Sequence, residues 1–181
     1  MKENVRGGSL ILLQKALMSE IEKITDGMTF KQPGKEKRKK LQIYGQGLPI
    51  PEHFPAERDD ETIDYVETDA EEAVFKCPWC IVRVEKGKID GINADPNVVT
   101  SIEFGIFDDN PDNQGHEDVL NLIWKIYTRF AGDSLLEMQY ECLNDFEFAT
   151  QDEDTFPYFF GAMSVTFKFK GVQRESGAEF I

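Results

Sequence analysis

Residues 98–131, VVTSIEFGIFDDNPDNQGHEDVLNLIWKIYTRFA, change hydrophobic period partway along, and that change narrows what the chain can fold into. Up to residue 107, Ile102, Phe104 and Ile106 recur at every second position, which places them on one side of an extended strand. From residue 117 onward, Val119, Leu120, Ile123, Ile126, Tyr127 and Phe130 recur every three or four positions. That spacing gives one apolar stripe on a helix of about four turns. The intervening DDNPDNQG consists of residues that favour turns and helix starts. A strand, a polar turn and an amphipathic helix in immediate succession must pack together. The helix is therefore expected to cover the sheet face holding Ile102, Phe104 and Ile106.

The rest of the chain supplies partners for this unit. Ser9 is placed to cap a helix whose stripe is Leu10, Leu13, Leu17, Ile21 and Ile24, with Gly27 as its stop. Residues 29–40, TFKQPGKEKRKK, have no useful period and read as an excursion from the body, followed by a short edge segment at 42–44. Residues 45–56, GQGLPIPEHFPA, hold three prolines and predict an extended path without regular ladder pairing. Residues 59–72 are mostly acidic, anchored only by Ile63, Tyr65 and Val66, and read as a solvent-facing connection. Strands are expected at 74–85, with Cys80, Val82 and Val84 opposite Ile81, Arg83 and Glu85, and then a turn at Lys86-Gly87-Lys88. Shorter strands are expected at 137–143, on Met138, Tyr140 and Cys142, and at 145–150, on Phe146 and Phe148. The strongest closing strand is 159–170, with Met163, Val165, Phe167 and Phe169 facing inward.

Because only one internal helix crosses between strands, a parallel doubly wound sheet is disfavoured. The order predicts an α+β fold with a mostly antiparallel sheet and an N-terminal and a central helix packed on one face. It reads as a single domain over residues 1–170, with flexible excursions at about 31–42 and 57–72, and a loose tail at 171–181.

Charge restricts the partners. Residues 1–40 hold 10 basic and 5 acidic side chains, and residues 41–181 hold 10 basic and 29 acidic, so the larger part is near −19. Such a body repels the phosphate backbone. The run Lys35, Lys37, Arg38, Lys39 and Lys40 is short, lacks interleaved aromatics, and reads as a solvated loop. No apolar run approaches 18 residues, which argues against a membrane span, and the opening residues continue a helical pattern instead of a signal-peptide cleavage site. Three cysteines, an odd count, make a reducing compartment the default.

Few residues suggest chemistry. Cys77-Pro78-Trp79-Cys80 runs into a strand pattern, whereas a redox pair needs a helix start, and a zinc reading lacks a second close pair although Cys142, His53 and His116 are available. Structural cysteines are the leading reading, with metal and redox roles as alternatives. His116-Glu117-Asp118 has no Ser or Cys placed beside it, and its acids suit the positive end of a helix. The acids of 59–72 lack calcium-loop spacing. The run DTFPYFFG, with Phe156, Tyr158, Phe159 and Phe160, suits either a cover for one end of the sheet or a subunit interface. No catalytic residue, cofactor or metal ligand is assigned.

Three blocks, CPWCIVRVEKGKID, SIEFGIFDDNPDNQGHEDVLNLIWKIYTRF and PYFFGAMSVTFKF, resemble in order and wording the tail completion or tail terminator proteins of long-tailed bacteriophages and prophages. Asp108-Asp109, the run GHEDVLN at 115–121 and PYFFG at 157–161 carry most of that resemblance, which covers roughly residues 48–170. It implies a tail-terminator-like fold and a non-enzymatic subunit forming a hexameric ring in the virion tail or neck, assembled in the host cytoplasm. Its implied partners are further copies of itself, the tail tube protein and head-tail connector proteins, with DNA passing through the ring and no membrane partner. Asp108, Asp109, His116, Glu117, Phe156, Tyr158, Phe159 and Phe160 are the interface candidates. Another neck or head-tail connector subunit is one alternative, and a small thiol- or metal-dependent protein using Cys77 and Cys80 is the other.

Overall fold

The computed structural model describes residues 8–49 and 77–172. The expected acidic excursion at 57–72, residues 50–56 of the proline-rich path, the start of the 74–85 strand and all of the tail after residue 172 lie outside the described residues.

The chain begins with helix α1 (Leu10–Ile24), followed by a hairpin of β1 (Phe30–Gln32) and β2 (Lys35–Lys39). The main sheet is made by β3 (Gln42–Gly45), β4 (Trp79–Lys88), β5 (Asn97–Phe107), β6 (Leu135–Leu136), β7 (Tyr140–Cys142), β8 (Glu147–Thr150) and β9 (Tyr158–Phe169), and helix α2 (His116–Gly132) joins β5 to β6. Its strand order is β3-β4-β5-β9-β7-β6, with β8 also on β9. Every pair is antiparallel except β3 with β4. The fold is α+β, with an N-terminal and a central helix against a curled, mostly antiparallel sheet. Its curl lets α1 touch β3 and β4 on one side and β6 on the other, while α2 covers β5, β9 and β8.

The alternation read from the sequence explains the core. Ile102, Phe104 and Ile106 of β5 and Met163, Val165, Phe167 and Phe169 of β9 are buried in one cluster with Leu13, Leu17 and Ile21 of α1. From α2, Val119, Leu122, Ile123, Ile126 and Phe130 enter the same cluster. Full burial of each such side chain contributes about 1.5–3 kcal/mol before the entropy of ordering it. The opposite face holds a second, smaller cluster of Cys77, Trp79, Ile81 and Phe107, flanked by Tyr44, Leu48, Tyr158 and Phe160.

Several local expectations are corrected. Leu120 and Tyr127 are 41% and 37% exposed, and Leu122, left out of the stripe, is fully buried. The face that meets the sheet runs 119, 122, 123, 126, 130, and residues 120 and 127 sit beside it. Ser9 precedes α1 in an extended conformation, but its side chain makes no capping bond. The Tyr140 hydroxyl instead donates to Ser9 O at 3.2 Å. Leu10 is half exposed.

Residues 30–39 form a hairpin, turned at Pro33-Gly34 with Gly34 at φ 66°. Its strand pattern was invisible because all of β2 is exposed on both faces, so no apolar alternation marks it. Phe30 roots the hairpin in the main core. The Lys86-Gly87-Lys88 turn is absent: β4 continues to Lys88, with a register shift between Val84 and Lys86. The reversal falls later, where Gly91 and Asn93 adopt positive φ. Met138 is 85% exposed because Glu137 and Met138 form the tight turn between β6 and β7, both with positive φ. Gly171 is buried, and its N–H donates to Asp95 Oδ1 at 3.0 Å, so the start of the expected loose tail is pinned. Among the described residues no helix is long and apolar enough to cross a membrane.

Candidate interaction surface

Asp108 and Asp109 follow the last residue of β5, at the mouth of the turn into α2. Lys31 of β1 places its ammonium 2.9 Å from Asp108 Oδ1 and 2.7 Å from Asp109 Oδ1. It also donates to Asn110 Oδ1 at 2.6 Å. Hydrogen bonds donated to Asp109 and then to Asp108 raise the Lys31 pKa, and the same lysine lowers that of Asp109. The pair of aspartates thus fastens the hairpin to the turn. Asp118, in the first turn of α2, is shifted upward by burial, opposed by Arg38 of β2 and reinforced by Asp108 and Glu117.

Helix α2 starts after Gly115, which offers no side-chain cap. Glu117 and Asp118 lie in its first turn and complement the positive helix end without capping it. His116 and Glu117 are both exposed.

The aromatic run divides between the two faces of the sheet, as a strand's alternation requires. Tyr158 and Phe160 join the smaller cluster, with Tyr158 5.4 Å from the Phe107 ring and Phe160 6.0 Å from Trp79. Phe159 turns the other way and packs against the main core beneath Gly115. Phe156 is 46% exposed. The Thr155 hydroxyl donates to Tyr158 O at 2.6 Å, and Asp108 N–H donates to Pro157 O at 3.0 Å, so the β8–β9 loop and the β5–α2 turn are stitched together. His116, Tyr158, Phe159 and Phe160 consequently line one open cleft of about 320 Å³ with residues 150–155. Of the eight residues singled out from the sequence, these four meet in one place. Asp108 borders them, Asp109 is turned toward the hairpin, and Glu117 and Phe156 remain on the surface.

The thiols Cys77, Cys80 and Cys142 are all buried. Cys80 lies in the main core and Cys77 in the smaller cluster on the other face, so the strand separates the two. Burial pushes the Cys77 pKa up to about 12 and shifts Cys80 upward as well, the Glu103 carboxylate adding to the latter. Thiolates of either residue are scarce at neutral pH. Among the described residues no group of three His, Cys, Asp or Glu side chains is arranged to hold a metal ion.

A second surface was not anticipated. Leu120, Trp124 and Tyr127 of α2 and Phe146, Phe148 and Met163 from the β8–β9 side line an apolar groove of about 430 Å³. Trp124 and Phe148 are 65% and 66% exposed. The 120, 124, 127 spacing is itself helical and could have marked a second apolar face, but Leu120 and Tyr127 were assigned to the buried stripe and Trp124 to neither face. The Trp124 and Tyr127 rings lie 5.1 Å apart, and Tyr127 meets Phe146 edge-on at 5.2 Å, which holds the groove wall in place.

Comparison with protein-family models and with curated proteins gives no match to this chain.

Proposed function

We propose that the chain is a non-enzymatic structural subunit of a bacteriophage or prophage tail. In this reading copies assemble into a ring that terminates the tail tube and joins it to the head connector, and the arrangement of sheet and helices is tail-terminator-like. The observation that carries it is where the resembling sequence blocks fall. They form β4, the β5–turn–α2 unit and β9, which are the centre of the sheet and the helix lying on it. The blocks on which the resemblance rests therefore sit on the elements at the centre of the fold.

Two further features support the reading. An exposed aromatic groove and strand edges that have no partner among the described residues supply the unlike faces that a ring of identical subunits must pair. The strongly acidic composition beyond residue 40 suits a channel wall that DNA passes without adhering. Electron microscopy of the purified chain, alone and incubated with tail tubes from the same source, tests the proposal. Rings seated on tube ends are the expected result; a chain that forms no rings and leaves every tube end bare would remove it.

A further inference from the structure

We propose that copies of this chain join head to tail, with the basic strand β2 of one copy adding to the acidic edge strand β8 of the next and covering the groove beside Trp124. The proposal takes from the preceding reading only that the partner is a second copy.

Among the described residues each of the two strands has a partner along one edge only. β8 pairs with β9 along one side, and all of its residues are exposed. β2 pairs with β1 alone in the two-stranded sheet, and all of its residues are exposed too. Each offers a row of backbone N–H and C=O groups to an incoming strand. Their charges are opposite. Residues 30–40 hold six basic side chains against Glu36, whereas residues 145–154 hold five carboxylates and no base. Lys31 and Lys40 are engaged with Asp109 and Asp26, but Lys35, Lys37 and Lys39 form no ion pair among the described residues. Nor, among those residues, do Glu147, Asp152 and Glu153.

The register of β8 aligns this edge with the groove. Phe148 is opposite Met163, a core residue, so Phe148 points to the α2 side, while Glu147 and Ala149 point to the other face. A strand laid along β8 would extend the sheet beneath Trp124, with alternate side chains against Phe148 and the indole. Lysine suits that place: its methylene stem covers an aromatic face while its ammonium stays in water, in the field of the acidic edge. Because β2 and β8 are different patches of one chain, the contact is heterologous, and each copy offers both halves.

Charge reversal tests this. Lys35→Glu/Lys37→Glu/Lys39→Glu makes the hairpin negative, and Glu147→Lys/Asp152→Lys/Glu153→Lys makes the edge positive. All six positions are exposed, so each variant should fold, which far-UV circular dichroism checks. In sedimentation velocity at low salt, the unaltered chain should associate, and each variant alone should associate at least about tenfold more weakly. An equimolar mixture should recover association, because each variant then meets its complement. A monomeric unaltered chain, reversals without effect, or a mixture that stays dissociated each overturns the proposal. Recovery by mixing while tube ends stay bare would retain this interface and remove the tail reading. Capped tubes indifferent to both reversals would do the opposite.

Discussion

Gly105 is set by a single neighbour. The Trp79 indole lies so close above it that a Cβ there would fall on Cε2, Cζ2 and Nε1 of the ring. Trp79 is only 9% exposed and has Phe160 on another side, so the indole has little room to retreat. Gly105→Ala should therefore cost about 1–3 kcal/mol, as overpacking does. It should also move Trp79 fluorescence to longer wavelength, read cleanly in a Trp124→Phe background. Unchanged melting and an unchanged spectrum would show that the indole is not confined. The sequence held a hint of this contact, because glycine inside a strand often marks a close approach. Nothing local named Trp79 as the approaching group, since the two residues meet through the pairing of β4 with β5.

Between elements, the two helices are tied by Glu20 of α1 and Arg129 of α2, whose Oε1 and Nε are 2.5 Å apart. Arg129 also donates to Asp133 O at 2.6 Å and Leu135 O at 3.2 Å, so it holds the exit of α2 as well. Burial would raise the Glu20 pKa, but hydrogen bonds from Arg129 and Lys23, with their charges, bring it below the ordinary 4.5. A carboxylate with a depressed folded pKa stabilises above its unfolded value and loses that contribution as pH falls through the folded value. Glu20→Gln should thus destabilise by about 1 kcal/mol near pH 7, or roughly 2–4 °C in Tm. The gap between the two proteins should close as pH drops well below 4.5. Melting curves across that range check it, and a gap that persists in acid would rule out the ion pair as its source.

Elements were legible where one face was wet and the other dry. Met163, Val165, Phe167 and Phe169 announced β9, and Leu13, Leu17 and Ile21 announced α1. β2 is wet on both faces and β6 is two residues long, so neither left a period to read. In α2 the period was correct but the stripe was rotated. Leu120, Trp124 and Tyr127 are as apolar as the residues that face the sheet, and only packing against β5, β9 and β8 decides between them.

Across the whole molecule, β4, β5 and β9 form one continuous ladder, and both helices bury their stripes in the cluster on its face. Loss of that ladder removes the support of every other element. Thermal unfolding of a Trp124→Phe variant should show one transition, with Trp79 fluorescence and far-UV circular dichroism superimposed. Helical signal lost well before the indole is exposed would contradict this coupling. The sequence-level candidates were partly gathered at this scale: the β5–α2 turn and the β8–β9 loop bring His116 beside Tyr158, Phe159 and Phe160. The α2 wall of the Trp124 groove was legible in the 120, 124, 127 spacing, but its other wall, β8, becomes a neighbour only once the sheet has formed.

The Tyr140 hydroxyl bonds the backbone of Ser9, a contact spanning 131 residues of chain. During synthesis, α1 leaves the ribosome long before the residue that fastens its first turn has been made. Closing so distant a contact requires the intervening chain to be drawn in first. The start of α1 should thereby be among the last places to be secured, because that bond can close only when β7 has joined β9.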